Sequence, residues 1–188
     1  MTARASSVRA GRIRRALALF AATALAAAAL AVLAALHLML NRTASMPVGF
    51  YRRLPVDRAP ARGDIVLVCA PETLARFAVS HGYLPPGDCA AHTAPLLKHV
   101  AAVAGDVVDL RPDAVAVNGV LLVNSATRAL DSNGRTLSHL RPGRYVLRAG
   151  ELWLWTSSPI GWDSRYYGPL PIRNVQAFAV PFAVLPQR

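Results

Sequence analysis

Lysine is nearly absent from this chain. Of the 21 basic side chains among its 188 residues, twenty are arginine and one, Lys98, is lysine. Arginine stays protonated in any protein site, whereas burial can neutralise an ammonium, so only one basic side chain is available as an amine base. Cysteine is limited to Cys69 and Cys89, which excludes a disulfide-dense scaffold, and glycine and proline are too few for a collagen-like chain. With 54% apolar and 16% charged residues, a disordered or low-complexity chain is excluded as well. No phosphate-binding glycine loop and no Gly-x-Ser-x-Gly elbow occurs, and the five histidines have no ligand spacing. The sequence therefore calls for neither a metal nor another cofactor.

What is abundant is unevenly placed. Residues 1–15 carry Arg4, Arg9, Arg12, Arg14 and Arg15 and no acid, and the 25 residues from Ala16 to Leu40 contain only Thr23 and His37 as polar members. A helix of that length reaches roughly 37 Å, more than the ~30 Å hydrocarbon core of a bilayer, so residues 16–40 are expected to form a single transmembrane helix. His37 then falls near its outer, interfacial end. Arginines on the N-terminal flank assign residues 1–15 to the cytoplasm, and residues 41–188 to the far side of the membrane. A cleaved secretory signal is the rival; its apolar region would be roughly 7 to 15 residues long with a small-x-small site just beyond. Here Leu38-Met39-Leu40-Asn41-Arg42 follows instead, so a retained anchor is expected.

Beyond residue 40 there remain sixteen basic residues against ten acidic. They are scattered and not interleaved with aromatics, so a lipid bilayer is the expected partner of this charge and nucleic acid is not. The exported part reads as short strands between turn residues. Ile65–Val68, Leu96–Val103 and Val107–Leu110 are strand candidates, and Pro71–Ser80 fits a short helix stopped by Gly82. Asn118-Gly119 between two apolar runs is a hairpin signal, because a type I′ turn needs positive φ at both central residues. Tyr145–Arg148 and Glu151–Thr156 are expected to form a second hairpin, residues 172–185 a closing strand, and residues 124–143 a polar loop. The expected fold is mainly β, tethered by one N-terminal transmembrane helix. Cys69 and Cys89 lie in the exported part, where an oxidising compartment permits a disulfide around the short helix; two buried thiols are the alternative. Trp153, Trp155 and Trp162 read either as a rim at the membrane interface or as ordinary core and edge residues.

On a strand, Lys98 shares a face with Leu96, Val100 and Ala102, and that face is otherwise apolar. Either the lysine snorkels from the strand end to water, or it is desolvated into a neutral general base. A partner for the second reading stands upstream, where Ser45 lies five residues past the apolar run.

Three boxes now stand in order. Thr43-Ala44-Ser45-Met46-Pro47 resembles the nucleophile box of the type I signal peptidases, Lys98 to Asp106 their lysine box, and Gly161-Trp162-Asp163-Ser164-Arg165 their Asp-Ser-Arg box. The longer runs Ser45-Met46-Pro47-Val48-Gly49 and Asp163-Ser164-Arg165-Tyr166-Tyr167-Gly168-Pro169, with the paired cysteines and Asn118-Gly119, resemble the TraF branch, the peptidases of conjugative transfer. The resemblance covers residues 41–185 and the anchor. It implies a signal-peptidase-like β domain and a Ser/Lys dyad protease: Ser45 Oγ as nucleophile, Lys98 as base, the Ser45 N–H and the Thr43 hydroxyl as oxyanion hole. Asp163 and Arg165 fit the third box, where the family has a supporting ion pair and the TraF branch counts the aspartate with the catalytic residues. Many relatives also place, two residues before the aspartate, a serine that hydrogen-bonds the lysine; this chain has Gly161. The implied substrate is a membrane-embedded precursor, a conjugative pilin precursor foremost, with the acyl-enzyme resolved by water or by the precursor's own N-terminal amine in a cyclisation. Other conjugative transfer proteins are implied as partners. A general signal peptidase acting on exported preproteins is the same-class alternative, and an inactive, membrane-tethered assembly protein the different-class one.

Overall fold

The structure is a computed structural model that describes the backbone of residues 2–186, with side chains throughout except at residues 2–13, 16 and 33–35. The alanine- and leucine-rich N-terminal run, made of the strongest helix formers, takes up helix α1, Thr2–Ala35. The helix ends before the apolar run does. His37 adopts a φ of 50°, which a right-handed helix cannot continue through, and Leu38–Asn41 form strand β1. Leu38, Met39 and Leu40 are thus strand residues, not the end of the helix expected from hydropathy. Leu17, Leu19, Phe20, Leu25, Leu30 and Val32 on α1 are exposed. Among the described residues no helix is long and apolar enough to cross a membrane. The chain divides into one unit up to Leu38 and a second from Met39 onward.

The second unit is built from short strands: β2 Gly49–Leu54, β3 Ile65–Val68, β4 Pro86–Cys89, β5 Leu96–Ala102, β6 Val107–Leu110, β7 Val115–Val117, β8 Val120–Leu121, β9 Gly143–Val146, β10 Glu151–Trp155, β11 Leu170–Pro171 and β12 Val175–Val184. Helix α2, Glu72–His81, and the single turn α3, Ser164–Tyr167, complete it. Seven strands form one sheet in the order β1-β2-β12-β3-β5-β10-β11, and four form another in the order β8-β7-β6-β9. The fold is mainly β, as the strand-and-turn pattern predicts. Side chains alternate across the larger sheet, so Val66, Val68, Leu96 and Val100 join one buried cluster while Leu67 and Leu97 join another with Met46 and Tyr51. The β6–β9 sheet closes a third cluster around Trp153 and Ala102. Trp153 is a core residue with no exposed surface.

The turn chemistry settles local pieces. Asn118 and Gly119 have φ of 50° and 83° between paired β7 and β8. Gly82 closes α2 at φ 68°, its N–H reaching the Ala78 and Val79 carbonyls. The expected second hairpin does not form. β9 pairs with β6, whereas β10 pairs with β5 and β11. β10 buries Leu152 and Leu154 on one side and Trp153 on the other, which makes it a central strand needing partners at both edges; β9 is largely exposed and serves as an edge.

Candidate active site

Ser45 sits half-buried on the loop between β1 and β2. That loop is short and polar, and buried side chains on both sides hold it. Met46 is 1% exposed and plugs the core cluster beside Tyr51, whose hydroxyl donates to the Pro47 carbonyl at 2.9 Å. From β1, the buried Asn41 amide donates to the carbonyls of Thr43, Met46 and Pro47 at 3.0–3.1 Å and accepts from the Thr43 N–H at 3.1 Å. The Thr156 hydroxyl donates to the Ser45 carbonyl. Thr43 Oγ1 lies 3.2 Å from Ser45 Oγ, so the hydroxyl two residues before the serine stands beside it.

Lys98 lies on β5 opposite Val66 of β3 and is 3% exposed. It does not snorkel to water. Burial lowers its pKa from 10.5 to about 8, with the nearby Arg165 pushing the same way and Asp163 opposing. A sizeable share of its amine is thus neutral just above physiological pH. Ser45, Thr43, Asn41 and Lys98 line one cavity of about 610 Å³. Its walls are mainly apolar, from Met39, Leu84, Leu96, Leu97, Leu137 and Trp162.

Asp163 and Arg165 have no exposed surface. The guanidinium meets the carboxylate through Nε and Nη2, both at 2.8 Å, and gives its other hydrogens to the carbonyls of Asn124, Ala126 and Gly161. Asp163 also accepts from the backbone N–H groups of Arg165 and Thr156. The pair ties α3 to β10 and to the start of the 124–143 loop, and neither residue lines the cavity of Ser45 and Lys98. Breaking so buried a pair would cost about 3–5 kcal/mol. The Asp163 charge favours the protonated form of Lys98 without Asp163 lining the cavity.

Gly161 occupies a place where no side chain fits. A Cβ there would overlap Thr156 Cγ2 and come within 3.1 Å of the Ser158 carbonyl oxygen. The space that a serine would use is thus taken by threonine from β10's end, whose hydroxyl faces the Ser45 loop instead of the lysine.

Cys69 and Cys89 form a disulfide, the first of the two sequence alternatives. It encloses α2 and the turn after it, whose residues His81, Gly82, Tyr83, Leu84 and Pro85 make one wall of the cavity. The 124–143 loop braces the same wall: Asp131 accepts from the Tyr83 hydroxyl at 2.7 Å, and Arg135 donates to both Asp131 and the His81 carbonyl.

With this geometry in place, comparison with known proteins is direct. The family model described as signal peptidase, peptidase S26 matches residues 12–183. The chain belongs to the S26 signal peptidase family. Within it, the chain is 38% identical to the conjugal transfer protein TraF of Agrobacterium tumefaciens (strain 15955), over 76% of this chain and 80% of that one. It is 36% identical to the probable conjugal transfer protein TraF of Sinorhizobium fredii (strain NBRC 101917 / NGR234), over 74% and 73%. It is 35% identical to the plasmid transfer protein TraF of Escherichia coli, over 69% and 73%. A signal peptidase I from Enterococcus faecalis V583 aligns with a TM-score of 0.36 at 18% identity, over 69% of this chain and 98% of that one.

Two residues of this S26 site escape a reading of the sequence by motif. Asn41 stands at the end of an apolar run and Thr156 in a Trp-Thr-Ser-Ser stretch, each outside the three boxes. The only local signal at Asn41 is a small amide residue two positions before Thr43, the spacing of an Asx turn.

Proposed function

We propose that this protein is a membrane-anchored serine endopeptidase that cleaves a membrane-embedded precursor by a Ser45/Lys98 dyad. The carrying observation is that the half-buried Ser45 and the one lysine of the chain, stripped of water, line the same cavity in an S26 chain. Neutral Lys98 Nζ takes the Ser45 hydroxyl proton as Oγ attacks the scissile carbonyl carbon. The oxyanion accepts from the Ser45 N–H and the Thr43 hydroxyl, and the Lys98 ammonium then protonates the departing amine. Water, or the N-terminal amine of the acyl-bound precursor itself, attacks the acyl-enzyme with Lys98 again as base. The first gives hydrolysis and the second a cyclic product.

The anchor in this reading is the apolar part of α1, residues 16–35, supported by the uncovered leucine and phenylalanine side chains there, which lipid would cover. Five flanking arginines favour a cytoplasmic N-terminus and a periplasmic peptidase unit at the inner membrane. The transfer proteins among the relatives favour a conjugative pilin precursor as substrate, and other transfer proteins as neighbours.

The test is processing of the pilin precursor of the same transfer system by the full chain in membrane vesicles, followed by mass spectrometry. Cleavage by the wild type and none by Ser45→Ala, Lys98→Ala or Lys98→Arg is expected, the last because guanidinium cannot be a neutral base. Loss of one further water from the product identifies cyclisation. Retained processing in any of the three variants overturns the dyad.

A further inference from the structure

The hydrogen-bond directions around Ser45 carry one step more. Three backbone carbonyls, of Thr43, Met46 and Pro47, face one end of the Asn41 side chain at 3.0–3.1 Å. Carbonyls only accept, so that end is the NH2 group and the opposite end is the carbonyl oxygen. The Oδ1 atom thus faces Thr43, 3.1 Å from its N–H and 2.8 Å from its Oγ1. An amide oxygen cannot donate, so the single hydroxyl hydrogen of Thr43 lies on Asn41. Thr43 Oγ1 has only its lone pairs left for Ser45, and the 3.2 Å contact between the two hydroxyls must be donated by Ser45. In the free site, then, the Thr43 hydroxyl hydrogen is held by Asn41 and the Ser45 hydroxyl hydrogen by Thr43, so neither is given to a substrate or to Lys98.

We infer that Asn41 is a positioning residue that sets the resting direction of this hydroxyl chain and holds the loop bearing it. The inference rests on the dyad reading above and deepens it. Arrival of a substrate carbonyl oxygen turns the Thr43 hydroxyl from Asn41 Oδ1 to the substrate, and frees the Ser45 hydroxyl to turn to Lys98 Nζ. Only two O–H rotations occur; no bond to a heavy atom forms or breaks in this step. The Asn41 NH2, meanwhile, keeps the backbone of residues 43–47 fixed, so both rotations take place about anchored carbons. Asn41 is 5% exposed and is held by five hydrogen bonds, so the residue that sets the arrangement is itself fixed in the interior.

The test is a double-mutant cycle on the full chain in vesicles, with the same pilin precursor, paired with amide hydrogen exchange of the loop. Thr43→Val should lower kcat by about 10² to 10³, the usual cost of an oxyanion donor. Asn41→Ala should lower kcat by about 10- to 100-fold with little change in KM, and the double variant should lose less than the product of the two single losses. The Thr43 amide, which loses its acceptor, should exchange faster in Asn41→Ala while β5 amides exchange as in the wild type. Additive losses, an unchanged kcat, or an unchanged Thr43 exchange rate would each overturn the inference. If Asn41→Ala does not accumulate, Asn41→Leu supplies the same readouts, since it fills the same volume and lacks both the amide hydrogens and the oxygen that faces Thr43. Failure of the wild type to process the precursor would bring down the functional reading alone, because the exchange measurement still decides what Asn41 holds.

Discussion

A lysine that is 3% exposed keeps its charge only against the cost of desolvation, and that cost fixes a pH dependence. With the pKa lowered from 10.5 to about 8, processing should rise with pH through a midpoint near 8 and level off above it. Asp163 opposes the fall and Arg165 reinforces it, so Asp163→Asn should move the midpoint to lower pH. A loss of activity at every pH with no shift would instead make the carboxylate part of the chemistry. The same shift has a stability side. The fall corresponds to about 3 kcal/mol at 1.36 per unit. Below pH 8 both folded and unfolded chains hold the proton and the fold carries the full penalty. Between about 8 and 10.5 only the unfolded chain holds it, so stability rises with pH. Lys98→Met should therefore raise the midpoint of thermal unfolding at pH 7 while abolishing processing, and the gain should vanish above pH 10.5; equal stability at pH 7 would refute this. At Gly161, a serine would meet Thr156 Cγ2. Gly161→Ser should cost about 1–3 kcal/mol by overpacking and reduce kcat by displacing the Ser45 carbonyl's donor. Adding Thr156→Ser, which deletes that methyl and keeps the hydroxyl, should recover most of both losses; melting curves and initial rates decide.

At the scale of elements, the disulfide and the 124–143 loop form a brace around the cavity wall from His81 to Pro85. The bridge closes a separation of 20 residues, for which the chain-entropy estimate is about 3 kcal/mol. Reduction, or Cys69→Ala with Cys89→Ala, should lower stability by about that amount and raise KM more than it lowers kcat, since Lys98 and Ser45 stand on other elements; a drop confined to kcat would contradict the brace. What was legible beforehand follows the same division. Strands with turn residues at both ends, such as β3, β6 and the β7–β8 hairpin, could be read because local chemistry decides them. β1 could not, because Leu38-Met39-Leu40 has the hydropathy of the helix before it and only the positive φ at His37 separates the two. The separation of β9 from β10 was equally hidden: adjacency along the chain suggests a hairpin, and only the burial of both faces of β10 assigns it two other neighbours. In the site, Ser45, Thr43 and Lys98 were legible from their boxes and meet at one cavity. The third box was legible as a pair, but the pair's place outside the cavity lining, and the roles of Asn41 and Thr156, arise from contacts between residues as far apart as Ser45 and Thr156.

For the whole molecule, the apolar surface of the first unit and the self-contained core of the second have separable consequences. Among the described residues, each of the three buried clusters draws its members from Met39 onward. A chain beginning at Leu38 should therefore fold without detergent, keep the disulfide, and cleave a soluble peptide spanning the cleavage site at a rate close to that of the full chain. It should process the membrane-embedded precursor far more slowly, because the anchor confines enzyme and substrate to one surface and so raises their effective concentration. Thermal melts with and without residues 1–37, together with rates on the two substrates, separate these effects. Aggregation of the shortened chain would assign α1 a part in the fold. Equal rates on the membrane-embedded precursor would leave the uncovered leucines of α1 without the use assigned to them here.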